Sequence, residues 1–406
     1  LKTITSDILV IGGGSAGIAA AYTASKNGYS VSLIDNHSYL GGNATASEVG
    51  TICGLYHQNK SGNQQYIIEG FGRYFAEELR KMGKSAPLSN KDGLHYLPYS
   101  IENFKNLANQ LMADADVNCL FSTKIVDIEI SNKQAKSCIV NQLDEVIEIR
   151  FQSIIDCSGK SIVSKLANLP YIPSTKFQSA ALVFAMKQVY FESENNINFI
   201  IIKHLHQAIE RGDLSEDFKK LFIVPGSLRG NEIRFKMGIP LEVTLTKNNL
   251  AELKRKGTEM IFEIVQFLVN EIDGFADAEL LYIADDVGIR TDYRSQGHYV
   301  LTEEDVLSCR KFESAIANCS WPIEEWGNEL RVKMAYLPDN DFYQIPSECL
   351  SSPHVQNLFF GGKNVSATDR AIASARVMGI CFQTGEAAGN LAANYIRSNQ
   401  TTYTLA

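Results

Sequence analysis

Residues 7–11 (DILVI) form a short, nearly unbroken apolar run, the pattern of a strand buried on both faces of a parallel sheet, and the run ends in Gly12, Gly13 and Gly14. The alanine-rich stretch 15–27 predicts a helix stopped by Gly28, and 29–34 (YSVSLI) predicts a second strand ending at Asp35. Together these make a βαβ unit. A long loop follows, over residues 36–62, and then helices near 69–82 and 101–114. Alternating stretches at 119–130, 137–140 and 145–151 predict a small β-meander, and 153–156 (SIID) predicts another buried strand before a turn at Cys157, Ser158 and Gly159.

Residues 169–350 mix strand-like runs at 180–187 and 232–238 with an amphipathic helix at 250–269. Near the end, 357–361 (NLFFG) repeats the pattern of an apolar strand followed by glycine, and 371–396 predicts one long helix of small residues. The two ends therefore read as one discontinuous domain, 1–165 with 351–406, and 166–350 as a substrate domain. The expected class is α/β: a Rossmann-like domain with an inserted β-meander, beside a separate α+β domain.

Composition narrows the function classes. The 38 basic and 46 acidic residues give a net charge of -8 with no long single-sign block, so nucleic acid is not an expected partner. Eight cysteines without a C-x-x-C pair argue against a zinc site or a disulfide scaffold, no metal is expected, and a reducing, cytoplasmic setting is. No run of 18 apolar residues occurs, so no transmembrane segment is expected. Residues 1–6 are polar and too short for a signal peptide, and a first residue other than Met leaves a removed leader open.

Gly12, Gly14 and Gly17 occupy the positions of G-x-G-x-x-G, with Ser15 and Ala16 between them at the start of the predicted helix. The first glycine permits a tight turn, the second lets backbone approach a pyrophosphate, and the third allows close helix–strand packing. Asp35, followed by Asn36, stands where a carboxylate would accept hydrogen bonds from a ribose diol. A glycine turn without a ligand and a solvated strand-end acid are the alternatives. These residues indicate a dinucleotide and do not separate FAD from NAD.

Three further segments bear on that choice. Gly41-Gly42, with Asn43, Ala44 and Thr45 after it, resembles the double-glycine segment beside the flavin in the glutathione-reductase-like FAD superfamily. Residues 155–159 (IDCSG) resemble that superfamily's second signature at the adenosine end, which implies cofactor-binding positions at Cys157 and Gly159, with Ile125 counted among them. The run 359–389 resembles the flavin-binding end of the FAD-dependent oxidoreductases: a strand, a glycine turn at Gly362, an Asn-x-Ser-Ala-Thr loop and a small-residue helix. Free N–H groups and the positive dipole end of that helix would favour negative charge on the flavin, and Arg376, Val377 and Met378 near its start are expected flavin contacts.

Residues 288–302 (GIRTDYRSQGHYVLT), followed by Asp305 and Phe312, resemble the same family's Gly-x-Arg, double-arginine, Gly-x-Tyr-x-Leu-Thr segment. Tyr293 stands where the first paired arginine would be, and Asp35 where Glu is more usual. The resemblance covers about half the chain, at 1–60, 120–160, 285–325 and 355–395.

The resemblance implies FAD as cofactor. Arg290, Arg294 and His298 are the catalytic candidates, forming a cationic surface for a carboxylate substrate or developing anion. Ion pairs with Asp285, Asp286 or Asp292 are the alternative for the arginines, and a satisfied buried histidine for His298. Cys53 and His57 follow the double glycine without a second cysteine five residues away, so a disulfide-reductase pair is absent. His37 stands where some related flavoproteins attach FAD covalently. The leading expectation is a dehydrogenase or reductase acting on a small molecule, with an external electron donor or acceptor. A flavin monooxygenase is the first alternative, although Trp321 and Trp326 stand in WPIEEW and not in the halogenase Trp-x-Trp-x-Ile-Pro. A non-catalytic flavin redox sensor is the second.

Overall fold

The structure is a computed structural model that describes residues 1–175, 177–327 and 332–404. Five parallel strands form its central sheet, in the order Leu358–Phe360, Ser153–Asp156, Ile8–Ile11, Val31–Ile34 and Asn118–Leu120. Every residue of the four strands other than Asn118–Leu120 is buried, as their largely apolar runs favour. The C-terminal strand lies beside Ser153–Asp156, so both ends of the chain build this sheet. The helices Ser15–Lys26 and Met378–Thr404 pack closely together: a Cβ at Gly385 would overlap the carbonyl of Ala16, and one at Gly389 would come within 2.6 Å of that of Ala20.

The expected meander is present and larger than its three strands. Thr123–Ser131, Gln134–Gln142 and Glu145–Arg150 are antiparallel, and the polar opening segment Lys2–Thr5 joins the last of them in parallel. The single expected stretch 119–130 divides between two sheets. Ser122, at φ 50°, turns the chain from Asn118–Leu120 in the central sheet into Thr123–Ser131 in the meander.

A second hydrophobic core lies within residues 180–284. Its sheet is antiparallel, in the order Leu221–Ile223, Ile233–Gly238, Ala181–Lys187 and Glu279–Ile283. The helix Lys247–Glu271 packs on this sheet through Gly257, whose open face meets Leu182. A helix that the sequence pattern did not single out, Glu194–Arg211, buries Ile197, Ile201 and Leu205 in the same core. Leu301, Cys319, Tyr343 and Leu350 belong instead to the large core that contains Ile8 and Val10.

The long C-terminal helix is interrupted where a single helix was expected. Asp369–Ala375 is capped by Thr368, the chain breaks at Arg376 and Val377, and a second helix starts at Met378. The break is tertiary in origin: Gly54 lies against Val377, and a Cβ at Gly379 would sit 2.6 Å from the Gly54 carbonyl. Among the described residues no helix is long and apolar enough to cross a membrane.

Candidate flavin and substrate site

The first turn after Ile8–Ile11 has the geometry its glycines predict. Gly12 adopts φ 95°, and a Cβ there would lie 2.7 Å from the Cys157 carbonyl. A Cβ at Gly17 would overlap the Gly12 carbonyl. Gly14 is different: its nearest neighbour would be Gly42 Cα at 3.9 Å, so space opens in front of it. The N–H groups of Ser15, Ala16 and Gly17 donate to no described residue, and the first turn of their helix carries no acid. A helix N-terminus with unfilled donors and an open glycine fits a pyrophosphate.

The double glycine is held beside this turn by the bond from Gly41 N to Gly13 O, 2.8 Å. Thr45 Oγ1 donates to Leu40 O at 2.8 Å, bracing the loop from within. Tyr99 donates its hydroxyl to Ala44 O at 2.8 Å. Asn43 Nδ2 and Lys363 Nζ both donate to Ile289 O, at 3.1 and 3.2 Å, so the loop and the turn at Gly362 together fix the residue before Arg290.

Asp35 is buried at the end of its strand. Its carboxylate accepts from Gly13 N at 2.5 Å and His37 N at 2.7 Å, and its Oδ1 lies 3.2 Å from His37 Nδ1. Of roughly four lone-pair sites on a carboxylate, three are occupied, which leaves room for one ribose hydroxyl. Asn36 is exposed beside it. Thr123 N donates to Asp35 O, bringing the strand that carries Ile125 to this corner. Asp156 accepts from Ser158 N, Val163 N and Asn364 Nδ2, shaping the Cys157–Gly159 turn, and a Cβ on Gly159 would come within 2.9 Å of Lys363.

At the other end of the cradle, the N–H groups of Met378, Gly379 and Ile380 donate to no described residue. These orphan donors lie at the positive end of a helix running to residue 404, so the residues present fit a flavin whose ring gains negative charge on reduction. Cys53 is adjacent in the fold, and burial pushes its thiol up to about 12, so it is a thiol and not a thiolate at neutral pH.

Beside this helix start stands a group the sequence only partly revealed. Arg290 lies 4.5 Å from the ring centre of Trp326, and Lys236 lies 4.5 Å from the same ring. Phe222 meets Trp326 edge-on at 6.1 Å. Glu324 accepts from the indole N–H groups of Trp326 at 2.9 Å and Trp321 at 3.3 Å, and pairs with Arg376 at 3.6 Å. Burial lowers the pKa of Lys236 to about 8, with Arg290 adding to the effect. Arg290 is likewise lowered by burial and by Arg376, and it remains charged at neutral pH.

The structure does not bring the three catalytic candidates together. Arg290 belongs to the cation group. Arg294 is 1% exposed and pairs with Asp369 at 2.8 Å, while donating to Ala367 O, Ser174 Oγ and Asp292 O at 2.6–3.1 Å. It faces Asp369 and not the acids expected for it. His298 is exposed near Glu348 and makes no hydrogen bond to either arginine. His57 is half-buried with its ring edge-on to Phe342, and both ring nitrogens of His37 have carboxylate partners. Lys236 and Glu324 were missed. A signal existed for Lys236: in 232–238, Ile233, Phe235 and Met237 alternate with Arg234 and Lys236, which places two cations on one sheet face. A cavity of about 930 Å³ opens elsewhere, among Thr175, Thr302, Glu303 and Asp369, and shares no residue with the cradle or the cation group.

No curated protein matches the sequence. Among solved structures, a geranylgeranyl bacteriochlorophyll reductase-like protein from Thermoplasma acidophilum is similar over 98% of this chain and 80% of its own, at 14% identity and a TM-score of 0.51. The OxyS anhydrotetracycline hydroxylase from Streptomyces rimosus is similar over 97% of this chain and 65% of its own, at 10% identity and a TM-score of 0.50. At such identities the likeness is one of fold. A family model described as FAD dependent oxidoreductase matches residues 7–406, and the chain therefore belongs to the FAD dependent oxidoreductase family.

Proposed function

We propose that the protein is a dehydrogenase or reductase that moves a hydride between a small organic substrate and N5 of FAD, exchanging electrons with a separate donor or acceptor. The observation that carries this reading is the position of Arg290, Lys236 and Trp326 beside the break at Arg376–Val377, where the last helix presents its free N–H groups. FAD supplies the two-electron chemistry when bound.

The chain's own residues bind and orient. Gly12, Gly14, Ser15, Ala16 and Gly17 hold the pyrophosphate, Asp35 and Asn36 the ribose, and Ile125, Cys157 and Gly159 the adenosine end. Gly41 to Thr45, Gly362, Val377 and Met378 line the ring. Arg376 acts through Glu324 and Gln178, to which it donates at 3.2 Å. Of the three catalytic candidates we retain Arg290 at the substrate; Arg294 braces the fold and His298 lies outside the site. We draw the substrate-side body around the 180–284 core and count residues 301–350 with the flavin domain. The eight unpaired cysteines support a reducing, cytoplasmic setting.

The test is an absorption spectrum of the purified protein, followed by anaerobic mixing with a panel of small organic acids, alcohols and amines. A flavin spectrum bleached by one substrate class without oxygen supports the reading. Substrate turnover that requires oxygen and a separately reduced flavin makes the protein a monooxygenase and overturns it.

A further inference from the structure

The reading above leaves the substrate class open, and the charges around Trp326 narrow it. Three cations, Lys236, Arg290 and Arg376, gather about one carboxylate, Glu324, and that carboxylate is already held by two indole N–H groups and Arg376. Arg290 has five N–H donors and, among the described residues, one acceptor, the Ser179 carbonyl. Lys236 Nζ has no hydrogen-bond acceptor among the described residues; its neighbours are the rings of Trp326 at 4.5 Å and Phe222 at 5.6 Å.

Two half-buried cations of like charge, each without a paired anion among the described residues, disfavour one another and the fold around them. The arrangement is stable against this cost when an anion enters between them. A guanidinium offers a carboxylate two parallel N–H groups, and an ammonium adds a third donor. The walls are aromatic, which favours an organic body over a small hydrated ion.

We propose, building on the oxidoreductase reading, that the substrate is a small organic carboxylate with a flat apolar body, its carboxylate held by Arg290 and Lys236 and its body against Phe222 and Trp326. The group lies beside the residues assigned to the flavin ring, so this anchor fixes the distance from the carboxylate to the reacting carbon.

The chain has only two tryptophans, Trp321 and Trp326, and both donate to Glu324, so their fluorescence reports on this group directly. The flavin-loaded protein is titrated with benzoate, with its neutral amide benzamide, and with inorganic phosphate. The expected result is a saturable fluorescence change with benzoate, and binding at least about tenfold weaker for the other two probes, the scale of a lost charge-assisted contact. Arg290→Gln and Lys236→Met should each weaken benzoate by a similar factor and leave benzamide unchanged. Arg290→Lys, which keeps the charge, should bind benzoate with an affinity between those of the unaltered protein and Arg290→Gln, and covers the case in which Arg290→Gln does not fold. Equal binding of benzoate and benzamide overturns the proposal, as does phosphate binding as tightly as benzoate. Visible flavin absorption is read on the same samples: a colourless chain that still selects benzoate sinks the flavin assignment alone, and a yellow chain that ignores benzoate sinks this proposal alone.

Discussion

His37 Nε2 lies 2.9 Å from Asp286 Oδ2, joining the end of the second parallel strand to the segment that returns from the antiparallel sheet. The Asp286 hydrogen bond, and after it the Asp35 one, raise His37 from 6.5 to about 10 against the opposing effect of burial. A raised pKa in the folded state means that folding takes up a proton. The contribution is complete below 6.5 and is lost as pH rises through about 10. Asp286 is held below its ordinary 3.8 by the same hydrogen bond, so its contribution is lost as pH falls through that lowered value. His37→Gln should therefore lower the Tm by a few degrees at neutral pH, and the gap to the unaltered protein should close in strongly alkaline buffer. Thermal unfolding of both proteins across that range checks it; a gap independent of pH would mean the ring acts by shape alone.

The glycines of the cradle separate folding from binding. Gly17→Ala forces a Cβ into the Gly12 carbonyl, so the variant should be recovered poorly or not at all. Gly14→Ala places its Cβ no nearer than 3.9 Å to Gly42 Cα, so the apoprotein should keep its Tm. On the proposed cofactor placement the same methyl would occupy the approach to the pyrophosphate, and FAD affinity should fall at least about tenfold, or ~1.4 kcal/mol. Flavin retained after gel filtration, set beside apoprotein melting curves, distinguishes the two effects. Full flavin retention in Gly14→Ala would place the pyrophosphate elsewhere.

Arg294 is a buried brace, and its loss should be costly without touching the site. Removing one member of a buried ion pair typically destabilises by about 3–5 kcal/mol. Arg294→Ala leaves Asp369 and four other acceptors without their shared donor, so denaturant unfolding should show a loss of that order. Benzoate binding measured well below the transition should be unchanged. A variant of normal stability that no longer binds would return Arg294 to the site.

Much of this was legible because it depends on local pattern. The run DILVI and the glycines after it specify a buried strand and a turn without help from the rest of the chain, and the strands that the two ends of the chain give to the central sheet follow from such runs. Features decided by distant contacts were not legible. Residues 371–396 have a composition suited to one helix, and the break at Arg376 arises from Gly54, more than 300 residues away in sequence. Arg290 and Arg294 are four residues apart in one motif, yet one faces an indole and the other a buried aspartate, because the short Arg294–Ser295 strand pairs with Tyr171–Ile172. Lys236 and Glu324 are brought together only by the packing of two separate sheets. Their residue types carried no signal beyond the alternation in one strand.

That alternation leads to a sign opposite to the one at His37. Burial, and then Arg290, lower Lys236 from 10.5 to about 8, so folding releases a proton between those values. The unfolded chain binds more protons there, and stability rises with pH across that window. Below about 8 the protein carries a buried ammonium whose burial disfavours folding. Lys236→Met replaces it with an apolar chain of similar length, and it should raise the Tm near neutral pH while weakening benzoate binding. The gain should shrink as pH rises from about 8 to 10.5, above which the Lys236 amine is neutral in both the folded and the unfolded chain. Differential scanning calorimetry of the two proteins along a pH series measures this difference directly. The His37 contribution is common to both proteins and cancels. A bound carboxylate holds Lys236 in its charged form, so saturating benzoate should remove the variant's advantage at neutral pH; a Tm gain that persists unchanged in benzoate would show that Lys236 has no part in holding the anion.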